Sequence, residues 1–124
     1  IEVRQPAVEG QPERWKLIGN CSFMEIDHRN RSTEFGIMIG EKSHWNQGYG
    51  SEAVRLLLKL GFETMNLNRV FLRVFETNPR AIRAYEKAGF TREGRQRQGE
   101  WQNGRYIDVL VMSVLREEWL TQNA

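Results

Sequence analysis

A chain of 124 residues is long enough for one hydrophobic core and too short for two. With 40% apolar and 27% charged residues it is neither disordered nor fibrous, and a net charge of +2 does not by itself mark a nucleic-acid protein. One cysteine, Cys21, excludes an internal disulfide and a Cys-based metal site and favours a reducing, cytoplasmic setting, with no metal expected. No apolar run approaches the length that spans a membrane, and no signal segment opens the chain.

The first residue is Ile1, inside the strand-like Ile1-Glu2-Val3-Arg4. The expectation is a single domain over residues 1–124 that lacks its natural beginning. Pro6, Gly10 and Pro12 mark a loop, and a strand follows from Trp15 to Ile26. After the polar turn at Asp27 to Arg31, Thr33 to Ile39 alternates. Phe35, Ile37 and Ile39 take one face, Glu34, Gly36 and Met38 the other. Beyond the Gly40–Gly48 loop, apolar residues at Ala53, Leu56, Leu57 and Leu60 recur at helical spacing and predict a helix to about Met65. Arg69 to Glu76 reads as a strand with Val70, Leu72 and Val74 on one side. Asn78-Pro79 caps and opens a second helix, which Gly89 ends. Two strands, Phe90 to Trp101 and Arg105 to Leu115, flank the hairpin signal Asn103-Gly104, and a short helical tail covers Arg116 to Leu120. Strand–helix–strand units beside hairpins predict an α/β, mixed α+β sheet with helices packed on it.

The segment from Trp45 through Asn46, Gln47, Gly48, Tyr49, Gly50 and Ser51 leads straight into the first helix. Glycines let backbone N–H groups approach a ligand, and a helix start adds unpaired N–H groups and a positive dipole end, which together cradle pyrophosphate. The same residues also fit a tight turn capped by Ser51. A P-loop does not fit, because no Lys follows the glycines. Nor does a dinucleotide fingerprint, because a long loop separates the segment from the preceding strand.

Trp45 to Gly50 resembles the acetyl-coenzyme A signature Q/R-x-x-G-x-G/A of the GNAT N-acetyltransferase superfamily, with Trp45 where Gln or Arg is usual. That departure is familiar in the branch of ribosomal-protein and spermidine N-acetyltransferases. Asn78 to Phe90 is similar to the family's N-x-x-A-x-x-x-Y-x-K-x-G-F run, and Asn103 to Val109 to the branch's final hairpin. The resemblance covers the chain from Trp15 onward. It implies a GNAT-like fold in which the family's first strand and first two helices have no counterpart here.

The resemblance implies acetyl-CoA as co-substrate and direct attack by a primary amine in a ternary complex, with no protein nucleophile. Ile37, Met38 and Ile39 would carry the pantetheine arm on a strand that splays from its neighbour, an N–H near Met38 polarising the acetyl carbonyl. Trp45, Asn46, Gln47, Gly48, Tyr49, Gly50 and Ser51 would hold the pyrophosphate. Asn78 would both cap its helix and touch the coenzyme. Tyr85 is the expected general acid for the thiolate, or else a half-buried core residue. Glu34 is the expected base or water relay, or else a strand carboxylate paired with Arg31 or Lys42.

Glu100, Tyr106 and Asp108 would form an acidic, aromatic rim for a cationic amine, a polyamine or a peptide N-terminus. Cys21 reads as a buried small residue, and His28 and His44 as loop residues. Two other functions fit the residues: a coenzyme A-binding regulatory module without catalysis, or a nucleic-acid or ribosome binder using Arg92, Arg95 and Arg97. No membrane partner is expected, and an edge hairpin at the C-terminus permits a homodimer.

Overall fold

The computed structural model describes residues 1–5, 9–10, 14–39 and 48–123. A two-stranded ribbon pairs β1 (Glu2–Arg4) with β2 (Trp15–Leu17). Ile18 then interrupts the strand expected to run unbroken from Trp15. Its side chain is buried and its N–H donates to the Ile1 carbonyl rather than to a ladder.

The main sheet holds β3 (Gly19–Asp27), β4 (Ser32–Ile39), β5 (Arg69–Phe75), β7 (Arg105–Leu115) and β6 (Thr91–Gln102), in the order β3-β4-β5-β7-β6. Both expected hairpins form, β3–β4 and β6–β7, and β5 pairs antiparallel with β7. Only β4–β5 is parallel, across the connection that contains the first helix.

Helix α1 (Tyr49–Lys59) continues into a π-helical turn, Leu60–Thr64. The predicted single helix is thus present, but its end widens. Gly61 lies there against β3, where an added Cβ would meet the Phe23 ring at 2.9 Å. Helix α2 (Pro79–Lys87) begins where Asn78 predicts: Asn78 Oδ1 accepts from the Ala81 N–H at 3.2 Å. It ends before Gly89, whose φ of 105° suits glycine. Helix α3 (Arg116–Gln122) closes the chain.

Alternation along the strands decides the core. Phe35, Val70, Leu72, Val74, Leu110, Met112 and Val114 face Val54 and Leu58 of α1, Phe62, Ile82 of α2 and Trp119 of α3 in one buried cluster. Each helix buries part of its apolar face there, α1 through Val54 and Leu58, α2 through Ile82 and α3 through Trp119. The opposite face, with Glu34, Phe71, Arg73 and Val111, has no helix on it among the described residues.

Candidate functional site

The parallel pairing of β4 with β5 is short. It joins Ser32 to Arg69, Thr33 to Val70 and Glu34 to Phe71, and stops. From Phe35 onward β4 pairs only with β3, while β5 from Leu72 onward pairs only with β7. The two strands therefore part in the middle of the sheet. Backbone groups of Phe35 to Ile39 on the β5 side have no strand partner among the described residues, although such groups need hydrogen-bond partners.

Three further features are the start of α1 and two residues at α2, Asn78 and Tyr85. The first is the start of α1. Gly48 has φ 81°, no side chain caps the helix, and the first backbone bond runs from the Glu52 N–H to the Gly48 carbonyl at 3.0 Å. Among the described residues, a Cβ built on Gly48 meets nothing within 4 Å, beside helix N–H groups that no side chain caps. That geometry suits a polyanion. Ser51 lies inside the helix, so the turn-capped-by-Ser51 reading does not hold. Trp45, Asn46 and Gln47, along with Lys42 and His44, fall outside the described residues.

The second feature is Asn78. Its carbonyl oxygen is spent on the cap, which leaves its NH2 group for a ligand, so the two roles expected of it do not compete. Replacing Asn78 with Ala is expected to cost about 1 kcal/mol by loss of the cap. Asn78→Asp, which keeps the acceptor, is expected to hold stability within about 0.5 kcal/mol. Chemical denaturation of the two variants checks this.

The third is Tyr85. It is half-buried, its ring meets Phe90 edge-on at 5.8 Å, and its hydroxyl has no hydrogen-bond partner among the described residues. Burial pushes its pKa above the ordinary phenol value, so the proton stays on at neutral pH.

On the helix-free side stands Glu34, at the last paired position before the strands part. Its carboxylate is gripped by Arg73, with Nε to Oε2 at 2.9 Å and Nη2 to Oε1 at 3.4 Å. Of the two expected partners, Arg31 donates instead to Asn66 Oδ1 at 3.3 Å, and Lys42 lies outside the described residues. Arg73 is raised above its ordinary value, first by the Glu34 hydrogen bond and then by the charges of Glu34, Glu100 and Glu25. Glu34 and Glu100, far apart in sequence, thus act on one guanidinium.

The proposed rim separates. Glu100 pairs in register with Ile107, on the face of Val109 and Val111, whereas Tyr106 and Asp108 alternate with it and share the face of Leu110. Asp108 has both oxygens engaged, by Gln98 N–H at 2.8 Å and by Arg95 Nη1 at 2.8 Å. Its pKa is lowered by these two bonds, Gln98 first. Tyr106 is exposed and meets Trp101, a ring the sequence reading passed over, at 4.8 Å.

Two of the three arginines of β6 are paired, Arg92 with Glu86 at 3.0 Å and Arg95 with Glu76 and Asp108 at 3.1 and 2.8 Å. That leaves little free cationic surface for a nucleic acid. Cys21 is half-buried rather than buried, and lines an apolar cleft of about 580 Å³ with Val3, Trp15 and Leu57. Arg73 was also missed by the sequence reading. The available signal was a charged residue inside the apolar run of β5, on the side away from Val70, Leu72 and Val74.

Comparison with known proteins bears on the family and the fold. The sequence profile described as "Acetyltransferase (GNAT) domain" matches residues 4–91. An uncharacterised N-acetyltransferase of Bacillus licheniformis, p20, is 36% identical over 121 residues, covering 91% of this chain and 67% of that protein. Spermidine N(1)-acetyltransferase of Vibrio cholerae is 35% identical over 107 residues, covering 86% of this chain and 61% of the relative. The solved structure of a Vibrio cholerae spermidine N-acetyltransferase in complex with CoA and spermine superposes with a TM-score of 0.80 at 33% identity. It covers 87% of this chain and 68% of that one. The chain therefore spans about two thirds or less of these relatives' lengths. The profile match and the shared fold place it plainly: this chain belongs to the GNAT acetyltransferase family.

Proposed function

We propose that the protein moves the acetyl group of acetyl-coenzyme A to a cationic primary amine, with a polyamine as the acceptor. One observation carries the reading. The parting of β4 from β5 leaves β4 backbone groups without a strand partner among the described residues, in a chain that also carries an uncapped helix start at Gly48. The likeness to a structure holding CoA and spermine supports it.

Bound coenzyme supplies an activated acyl group on a thioester, and this chain's residues do the rest. The α1 start at Gly48, Gly50 and Ser51 holds the diphosphate, and the Asn78 NH2 group donates to the same ligand. The free backbone groups of β4 align the arm, with an N–H near Met38 aimed at the carbonyl oxygen where negative charge develops. The amine enters from the helix-free face, where Glu34 pairs with Arg73 and the charges of Glu100 and Glu25 act on the same guanidinium, a field that attracts a cation.

An alkylammonium has a pKa of about 10.4 and must lose its proton before attack. Glu34 is the base or relay: the amine's proton passes through a water to its carboxylate and on to solvent. Tyr85 then gives its phenolic proton to the departing thiolate. Each step needs a group already present, and none needs a protein nucleophile.

The test is release of free thiol from acetyl-CoA with a panel of spermidine, spermine, a simple monoamine and a peptide with a free N-terminus. Fastest turnover with spermidine or spermine is expected. Turnover of the peptide alone would replace the polyamine by a protein amine. Coenzyme binding with no turnover of any amine would make the chain a binding module.

A further inference from the structure

The pairing of β6 with β7 breaks in the middle. Gln96 faces Val109 and the next pair is Glu100 with Ile107, so Asp108 alone on β7 stands opposite Arg97, Gln98 and Gly99. Such a bulge re-aims the residue that follows it, and the residue that follows is Glu100. Gln98 adopts φ 51°, an unfavourable conformation for a residue with a side chain, so something must hold it there. Asp108 does: Oδ1 accepts the Gln98 N–H at 2.8 Å, and Oδ2 accepts from Arg95 Nη1 at 2.8 Å. Arg95 in turn reaches Glu76 Oε2 at 3.1 Å, on the segment between β5 and α2. On the far side of the bulge, Gly99 sits where a Cβ would lie 3.2 Å from Val109 Cγ2.

We propose that Asp108 is a positioning residue: its carboxylate locks the β6 bulge and so holds Glu100 on the face of the sheet that also carries Arg73, the amine-facing side. This rests on the polyamine reading above and replaces the picture of Asp108 as a direct contact to the amine. A carboxylate whose oxygens are both occupied is a poor ligand for an incoming ammonium. Glu100 has no such tie among the described residues, and its charge is felt at Arg73. Removing Asp108 frees the bulge, and Glu100 loses its fixed place.

The experiment is a double-mutant cycle with Asp108→Ala and Glu100→Gln. Each single change is expected to raise KM for spermidine about tenfold. D108A is expected to keep kcat and KM for acetyl-CoA within about twofold, and the double variant to be no worse than E100Q, because both act through one group. D108N, whose amide oxygen still accepts from Gln98, is expected to fall between, and it carries the test should D108A not fold. An unchanged spermidine KM in a folded D108A or in D108N overturns the proposal, and so do losses that multiply in the double variant. If the wild-type protein acetylates no amine, the functional reading fails by itself. Amide exchange then decides this proposal: faster exchange at Gln98 and Glu100 in D108A supports it, and unchanged exchange overturns it.

Discussion

Replacing Tyr85 with Phe is expected to lower kcat about a hundredfold while KM for acetyl-CoA stays within about twofold. The size follows from what the hydroxyl is free to do. It has no hydrogen-bond partner among the described residues, so no structural bond is lost with it. Its ring packs on Phe90, and the Phe90 N–H closes α2 on the Tyr85 carbonyl at 3.0 Å. Phe preserves both contacts, and stability is expected to change by less than about 0.5 kcal/mol. Burial holds the phenol protonated at neutral pH, and a thiolate formed beside it in the same desolvated cleft is a willing acceptor. Steady-state kinetics with both substrates varied, beside a thermal melt, checks the claim. An unaltered kcat would return Tyr85 to the core; a parallel fall in kcat and stability would make its role structural.

The second large effect is expected at the helix start. Gly48→Val puts a β-branched residue at φ 81°, which is expected to cost about 1–2 kcal/mol of stability. It also adds a side chain beside the α1 N–H groups. Affinity for acetyl-CoA is therefore expected to fall by at least about tenfold. Gly104→Val is the control. Gly104 has φ 78° and nothing within 4 Å of an added Cβ, so the backbone penalty is similar, but it lies in the β6–β7 turn. Calorimetry on both variants separates ligand loss from strain. Equal affinities would mean that Gly48 shapes a turn and nothing more.

Much of the fold is legible in the chain because its signals are local. Asn78-Pro79 opens α2, Gly89 ends it, and Asn103-Gly104 turns the last hairpin, each through backbone chemistry confined to a few residues. The glycine-bordered start of α1 was legible for the same reason, since it needs no distant partner. What stayed hidden depends on contacts between distant residues. The family resemblance implied that β4 splays from its neighbour, but no residue pattern in β4 or β5 announces that pairing ends at Glu34 and Phe71, because both strands run on with good alternation past that point. The partner of Glu34 is Arg73, 39 positions away, and nearer cations looked equally suitable. The bulge in β6 offered one hint, Gly99 inside a strand. Its strained residue is Gln98, however, and glutamine carries no turn signal. Asp108 thus read as a rim carboxylate when its oxygens are turned inward to the backbone.

The central claim is that the α1 start and the parted strands hold the nucleotide thioester, and titration calorimetry of the folded wild-type chain with acetyl-CoA tests it most directly. The account predicts saturable heat at one site per chain, a dissociation constant in the range of about 1 μM to 1 mM common for enzyme substrates, and competition by free CoA. A chain that melts cooperatively yet gives no heat with either ligand would contradict it.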